Sequence, residues 1–341
     1  MNYHEISPEM TIGDLVKSNV YGDFANYIFT DMTPDHWNCP LKDYGYEKVG
    51  FEQTLHRMED LASTKDQYVY HIYDEETRLS QWDKEKPVLL HFPGPEAGLP
   101  YAVVIPGGGF NRQWGLIEGM AIAAPANAAV LRNPRRLISI LLFRTKIEPV
   151  IPKAIEDMHQ AIRFIEEHAS TFSVKKGHYI LGGFSAGATL AGEMGSTNFG
   201  WKTAGLPKPE MIFLGYTAID MKLFFDTYQK FPLGHPAHTG MSDFLRRIGG
   251  PEFTWDDLAP YHLVDFMDET YPPVYLTANE DDGTVPFSNS LLMEAACKKS
   301  GIPCQCKFGK TGGHSYGLGI GLSVEGWLAD ALAFWKSLPS N

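Results

Sequence analysis

The strongest constraint on this chain lies between His178 and Gly195. An apolar triplet, Tyr179-Ile180-Leu181, runs into Gly182-Gly183-Phe184-Ser185-Ala186-Gly187 and then into the small-residue run Ala188-Thr189-Leu190-Ala191-Gly192. That order predicts a strand, a sharp turn and a helix, with Ser185 at the apex. A serine on such a turn takes a strained backbone that lifts its hydroxyl clear of the sheet, and a side chain at 183 or 187 would strike the neighbouring strand or helix. The helix begins directly behind the serine, so its unpaired amides and the positive end of its dipole face any negative charge that develops there. A nucleophile beside an anion site is the functional reading. A purely structural turn is the alternative, because Gly-x-Ser-x-Gly alone is common by chance.

The flanking pattern favours the first reading, since strands alternate with helices around this unit. Tyr68–Tyr73 and Val88–Phe92 read as short strands joined through a charged turn, an antiparallel opening pair. Tyr101-Ala102-Val103-Val104-Ile105 is continuously apolar, as for a strand covered on both faces, and ends in Pro106-Gly107-Gly108-Gly109-Phe110. A small-residue helix is expected around Ile117–Ala128, then a buried strand over Leu137–Leu142. From Pro152 the positions Ile155, Met158, Ile162, Ile165 and Ala169 keep helical spacing, one apolar face laid on a sheet. After the serine unit come strands at 211–216, 274–278 and 303–308 and helices at 288–300 and 323–338. This alternation demands a mostly parallel, doubly wound sheet.

Two stretches break the pattern. Residues 1–64 carry helix-like spacing around an aromatic, Pro-containing segment with His36 and Trp37, and read as a helical appendage, either a lid or a packing buttress. Residues 218–269, with a turn-rich 232–240, read as a cap-like insertion over the strand ends of a catalytic domain spanning 65–341.

Composition narrows the function. With 44% hydrophobic residues in 341, the chain can bury a large core. Its 29 Lys+Arg against 41 Asp+Glu, a net charge of −12, and the lack of long basic runs argue against nucleic-acid or anionic-membrane partners. The first ten residues show neither a basic nor an apolar leader pattern, and the longest weakly polar run, 119–131, is broken by Pro125 and too short to span a bilayer. Cys39, Cys297, Cys304 and Cys306 make no disulfide framework, so a reducing, cytoplasmic location is the expectation. Cys304 and Cys306 are expected to fill core space rather than bind metal.

A serine hydroxyl needs a base within hydrogen-bond reach, itself held by a third group. In open α/β sheets such groups gather at the carboxyl ends of strands. Among 12 histidines, His314 stands in a loop just after the last predicted strand, behind Gly312 and Gly313. His159, His168, His178, His235 and His238 read as surface or packing residues. The carboxylate is sought in Asn279-Glu280-Asp281-Asp282-Gly283-Thr284, just beyond the strand at 274–278; Asp282, which precedes the turn, is the choice and Asp281 the alternative. The bare amides of Gly108 and Gly109, with that of Ala186, suit the oxyanion of a tetrahedral intermediate. A phosphate-cradling loop is disfavoured, because neither a Lys-Ser/Thr pair nor Gly-x-Gly-x-x-Gly follows. Phe110 and Trp114 are candidates for lining the substrate pocket, or else for core packing.

Taken together, Pro106-Gly-Gly-Gly-Phe110, Gly183-Phe-Ser-Ala-Gly187, Asp282-Gly-Thr-Val-Pro286 and Gly313-His314 resemble the α/β-hydrolases over about residues 65–341. They are similar to the esterase and lipase branch, related to acetyl-xylan esterases and acylaminoacyl-peptidase-like hydrolases. Pro106 departs from the histidine of the His-Gly-Gly-Gly version. The resemblance implies a carboxylic ester hydrolase without metal or organic cofactor, acting on a small-molecule ester whose acyl group is small, such as acetyl on a sugar. A peptidase or amidase of the same fold is the first alternative, and a non-catalytic binding protein the second.

Overall fold

The computed structural model describes residues 3–28, 34–64, 67–93, 96–123 and 137–339. Eight strands among them form one sheet: β1 (Val69–His71), β2 (Val88–Phe92), β3 (Leu99–Ile105), β4 (Leu137–Leu142), β5 (Val174–Phe184), β6 (Met211–Gly215), β7 (Val274–Asn279) and β8 (Cys304–Gly309). Their spatial order is β1-β2-β4-β3-β5-β6-β7-β8. β1 and β4 both run antiparallel to β2, and every other neighbouring pair is parallel. The doubly wound sheet with an antiparallel start is therefore as the sequence predicts.

Alternation along the strands sorts their side chains onto two cores. Val103, Ile105, Leu181, Ile212 and Leu214 face one layer, which holds the helix Ile151–Glu167 through Ala154, Met158, Ala161, Ile162 and Ile165. Ala102, Val104, Ile180 and Phe213 face the other, closed by Trp327 and Trp335 of the helix Trp327–Ser337. The central strands are covered on both sides. That is why they read as unbroken apolar runs.

Within 1–64, the helix Ile12–Lys17 starts at a reciprocal cap in which Thr11 and Asp14 each bind the other's backbone amide. The longest helix there, Phe51–Ser63, buries Phe51, Leu55, Met58 and Leu61 in the same apolar cluster as Leu90, Phe92 and Ile140 of the sheet. Each such side chain contributes about 1.5–3 kcal/mol relative to exposure.

Three local expectations need correction or limits. The helix expected at 117–128 begins as a π-helix, Gly115–Met120, and continues to Ala123; residues 124–128 lie outside the described residues. The stretch expected to be turn-rich, 232–240, contains the start of a helix, Pro236–Gly249, because Pro236 occupies its first turn and the His235 ring accepts the Ala237 amide. Cys304 and Cys306 are only partly buried, with their sulfurs 3.9 Å apart, because they lie on the edge strand β8.

Candidate active site

Ser185 follows β5 and precedes the helix Ala186–Glu193, with φ of +51° and ψ of −122°. A non-glycine residue in that region is strained, and here the surroundings leave no alternative. A Cβ on Gly183 would meet the Gly187 and Ile105 carbonyls, and one on Gly187 would meet those of Ile105 and Pro106. The two glycines let the turn pack directly on the end of β3.

Asp282 lies three residues past β7, and His314 lies in the loop beyond β8, so all three side chains stand at carboxyl ends of parallel strands. His314 Nδ1 is 2.6 Å from Asp282 Oδ2, and its Nε2 is 3.0 Å from Ser185 Oγ. The Asp282 side chain is 1% exposed and its Oδ1 accepts the amides of Thr284 and Val285, which fixes the carboxylate against the ring. Since a carboxylate only accepts, Nδ1 carries the ring proton and Nε2 is left to accept from the serine. Asp281 turns elsewhere: its carboxylate accepts the amides of Gly312 and Gly313 and so clamps the loop that carries His314.

Gly108 and Gly109 have positive φ, +130° and +61°, and among the described residues their amides, like that of Ala186, are given to no acceptor. Gly107 differs, because its amide donates to Glu118 Oε2 at 2.7 Å. The loop is held at further points: Trp114 N–H donates to the Gly107 carbonyl, Arg112 N–H to that of Gly108, and Arg247 Nη1 to that of Gly109.

Sequence reasoning missed Glu118. It is fully buried, and besides the Gly107 amide it accepts hydrogen bonds from Tyr216 Oη and Ser315 Oγ, both at 2.9 Å. Burial pushes its carboxyl up, while the nearby His314 and the three donors pull it back. It thus ties the glycine loop, the residue after β6 and the neighbour of His314 into one unit. Tyr216 also lays its ring against the imidazole, with centroids 4.5 Å apart. The available signal was a lone acid in the otherwise apolar run Leu116–Ala123.

A cavity of about 320 Å³ opens at Ser185, bounded by Gly108, Gly109, Glu118 and His314, with an apolar wall of Ala218, Phe224, Met241, Phe244 and Val285. Four of those five wall residues come from the 218–269 stretch. Trp114 borders this cavity, but Phe110 does not: it is fully buried, its ring packed near Phe143 and Phe244. Phe110 is therefore a core residue, which corrects its expected place in the pocket. Among the described residues no group of three or more His, Cys, Asp or Glu side chains is arranged to hold a metal, and no helix is long and apolar enough to cross a membrane.

The sheet and the serine turn define the chain as an α/β-hydrolase in fold, and solved structures agree. The acetyl ester-xyloside bifunctional hydrolase of Caldicellulosiruptor lactoaceticus superposes with a TM-score of 0.61 at 21% identity, over 81% of this chain and 97% of that one. An esterase of Thermogutta terrifontis, solved with butyrate bound, gives 0.59 at 16% identity, over 80% and 95%. More particularly, the chain belongs to the BD-FAE family, whose model matches residues 90–297. Among curated proteins, endo-1,4-beta-xylanase B of Butyrivibrio fibrisolvens is 25% identical over 213 residues, 59% of this chain. The chain spans only 30% of the length of that relative.

Proposed function

We propose that the protein is a serine hydrolase that cleaves a carboxylic ester with a small acyl group, such as acetyl on a sugar, through an acyl-enzyme on Ser185. The observation that carries this reading is the continuous chain of contacts from Asp282 through His314 to Ser185, at 2.6 and 3.0 Å. His314 Nε2 takes the Oγ proton as the hydroxyl attacks the ester carbonyl, and Asp282 stabilises the imidazolium that forms. The carbonyl oxygen becomes an oxyanion within reach of the Gly108, Gly109 and Ala186 amides; one such donor is worth about 3 kcal/mol in the transition state. The imidazolium then returns its proton to the departing alcohol. Water, activated by the same base, releases the acid and restores Ser185.

The apolar wall of the cavity beside Ser185 suits an acyl chain. The names of the relatives point the same way, one an acetyl ester-xyloside hydrolase, one an esterase holding butyrate, one a xylanase. The test compares initial rates on an acetylated methyl xyloside and on an aminoacyl amide at equal concentration. The reading expects the ester to be hydrolysed much faster and Ser185→Ala to abolish the difference. A preference for the amide would turn the assignment to a peptidase, and no turnover of either would favour a binding protein.

A further inference from the structure

A second cavity, of about 480 Å³, borders His314. It shares Trp114, Thr284, His314 and Ser315 with the first, but its lining includes neither Ser185 nor the glycines of the oxyanion loop. Part of its wall comes from the N-terminal segment, through Asp43, Tyr44, Gly45 and Val49, outside the part of the chain that the family model covers.

The geometry of ester cleavage gives this position a meaning. In the tetrahedral intermediate one oxygen points at the amides of the glycine loop, and the leaving oxygen must point at His314 Nε2 to receive its proton. The alcohol therefore departs on the imidazole side, where the second cavity opens, and the acyl chain takes the apolar cavity. The walls also define the chemistry of that alcohol. Tyr44 and Trp114 form an aromatic corner, with ring centroids 5.8 Å apart and planes at 54°. Asp43 is exposed, makes no ion pair among the described residues and is the one formally charged side chain of the lining. Aromatic faces pack on the C–H faces of a ring, and a free carboxylate accepts from hydroxyls while repelling phosphate or carboxylate.

Resting on the hydrolase reading above, we propose that this cleft is the leaving-group site, that it takes a neutral polyhydroxylated ring of the glycoside class, and that Asp43 and Tyr44 set its specificity. The N-terminal segment is then part of substrate recognition as well as of the core.

The full chain is assayed on two esters with the same acyl group, ethyl acetate and a mono-acetylated methyl xyloside. In the wild type, kcat/KM favours the xyloside ester. The ratio of the two values falls about tenfold in Asp43→Asn, which keeps the side chain's shape, and by at least as much in Tyr44→Ala, the loss of one good hydrogen bond or ring contact. A ratio that stays at its wild-type value in both variants overturns the proposal, as does a wild type with no preference for the sugar ester. If the wild type turns over neither ester, it is the hydrolase reading that has failed. Calorimetric binding of the same xyloside ester to Ser185→Ala then judges the cleft alone: weaker binding on adding Asp43→Asn supports it, and equal or absent binding refutes it.

Discussion

Replacing Glu118 by Gln removes one charge and almost no volume, yet it disturbs three donors at once. The carboxylate accepts from Gly107 N–H at 2.7 Å and from the Tyr216 and Ser315 hydroxyls at 2.9 Å, in a fully buried position. An amide offers one accepting atom and one donating group. If its oxygen stays on the two hydroxyls, its NH2 faces the Gly107 amide, donor against donor. If it flips, both hydroxyls must turn round and lose their present acceptor. Either arrangement leaves a buried donor unsatisfied, at a cost of about 1–3 kcal/mol. Gly107 directly precedes Gly108 and Gly109, whose amides are the proposed oxyanion donors, so on this proposal much of that cost is felt where the transition state is bound. At 1.36 kcal/mol per decade, kcat should fall between about 5-fold and 150-fold. KM should change little, because an oxyanion contact is made only in the transition state. Steady-state kinetics on an acetyl ester, with a thermal melt to verify folding, provide the assay. A kcat within twofold of wild type, or a rise in KM at constant kcat, would show that Glu118 does not hold the oxyanion loop.

Further outcomes follow from the same contacts. Asp282→Ala should lower kcat by about a thousandfold or more, as loss of the group orienting a catalytic histidine does, whereas Asp281→Ala, which frees only the loop amides at Gly312 and Gly313, should cost far less; equal losses would contradict the assignment. Phe244→Ala enlarges the apolar cavity, so the ratio of butyryl to acetyl ester hydrolysis should rise, and an unchanged ratio would remove the acyl group from that wall. Glu193 offers a test of stability: it is fully buried, Ser196 Oγ donates to its main-chain carbonyl, and neither side-chain oxygen has a hydrogen bond among the described residues. Burial pushes its carboxyl up to about 8, so the fold binds this proton more tightly than the unfolded chain does. Its support is full below the unfolded value and is lost as pH rises through about 8. Melting of Glu193→Gln should therefore gain on wild type between about pH 4.5 and 8, by a few kcal/mol at the upper end; a difference flat across that window would be inconsistent with a buried, unpaired acid.

The parts legible in the sequence were those in which one residue type answers one local demand. Gly183 and Gly187 are fixed by contact with Ile105, Ser185 by the turn between them, and the strands by apolar runs covered on both faces. The contact of Asp282 rather than Asp281 with His314 depends on a turn whose amides at 284 and 285 hold one carboxylate inward. What could not be read depends on partners distant in the chain. Glu118 resembles an ordinary helical acid until Tyr216 and Ser315 are brought to it. The swap of β3 and β4 in the sheet order follows from packing that no single strand encodes. Phe110 next to a glycine loop suggested a pocket wall, but its neighbours are Phe143 and Phe244, from β4's end and from the 218–269 stretch.

The most direct measurement is covalent. The folded protein is incubated with a fluorophosphonate, which reacts preferentially with an activated serine hydroxyl, and the adduct is mapped by peptide mass. One equivalent on Ser185, lost in Ser185→Ala and formed far more slowly in His314→Ala, is the result expected. Folded protein that takes no label, or takes it on another residue at the same rate in all three forms, would contradict the account.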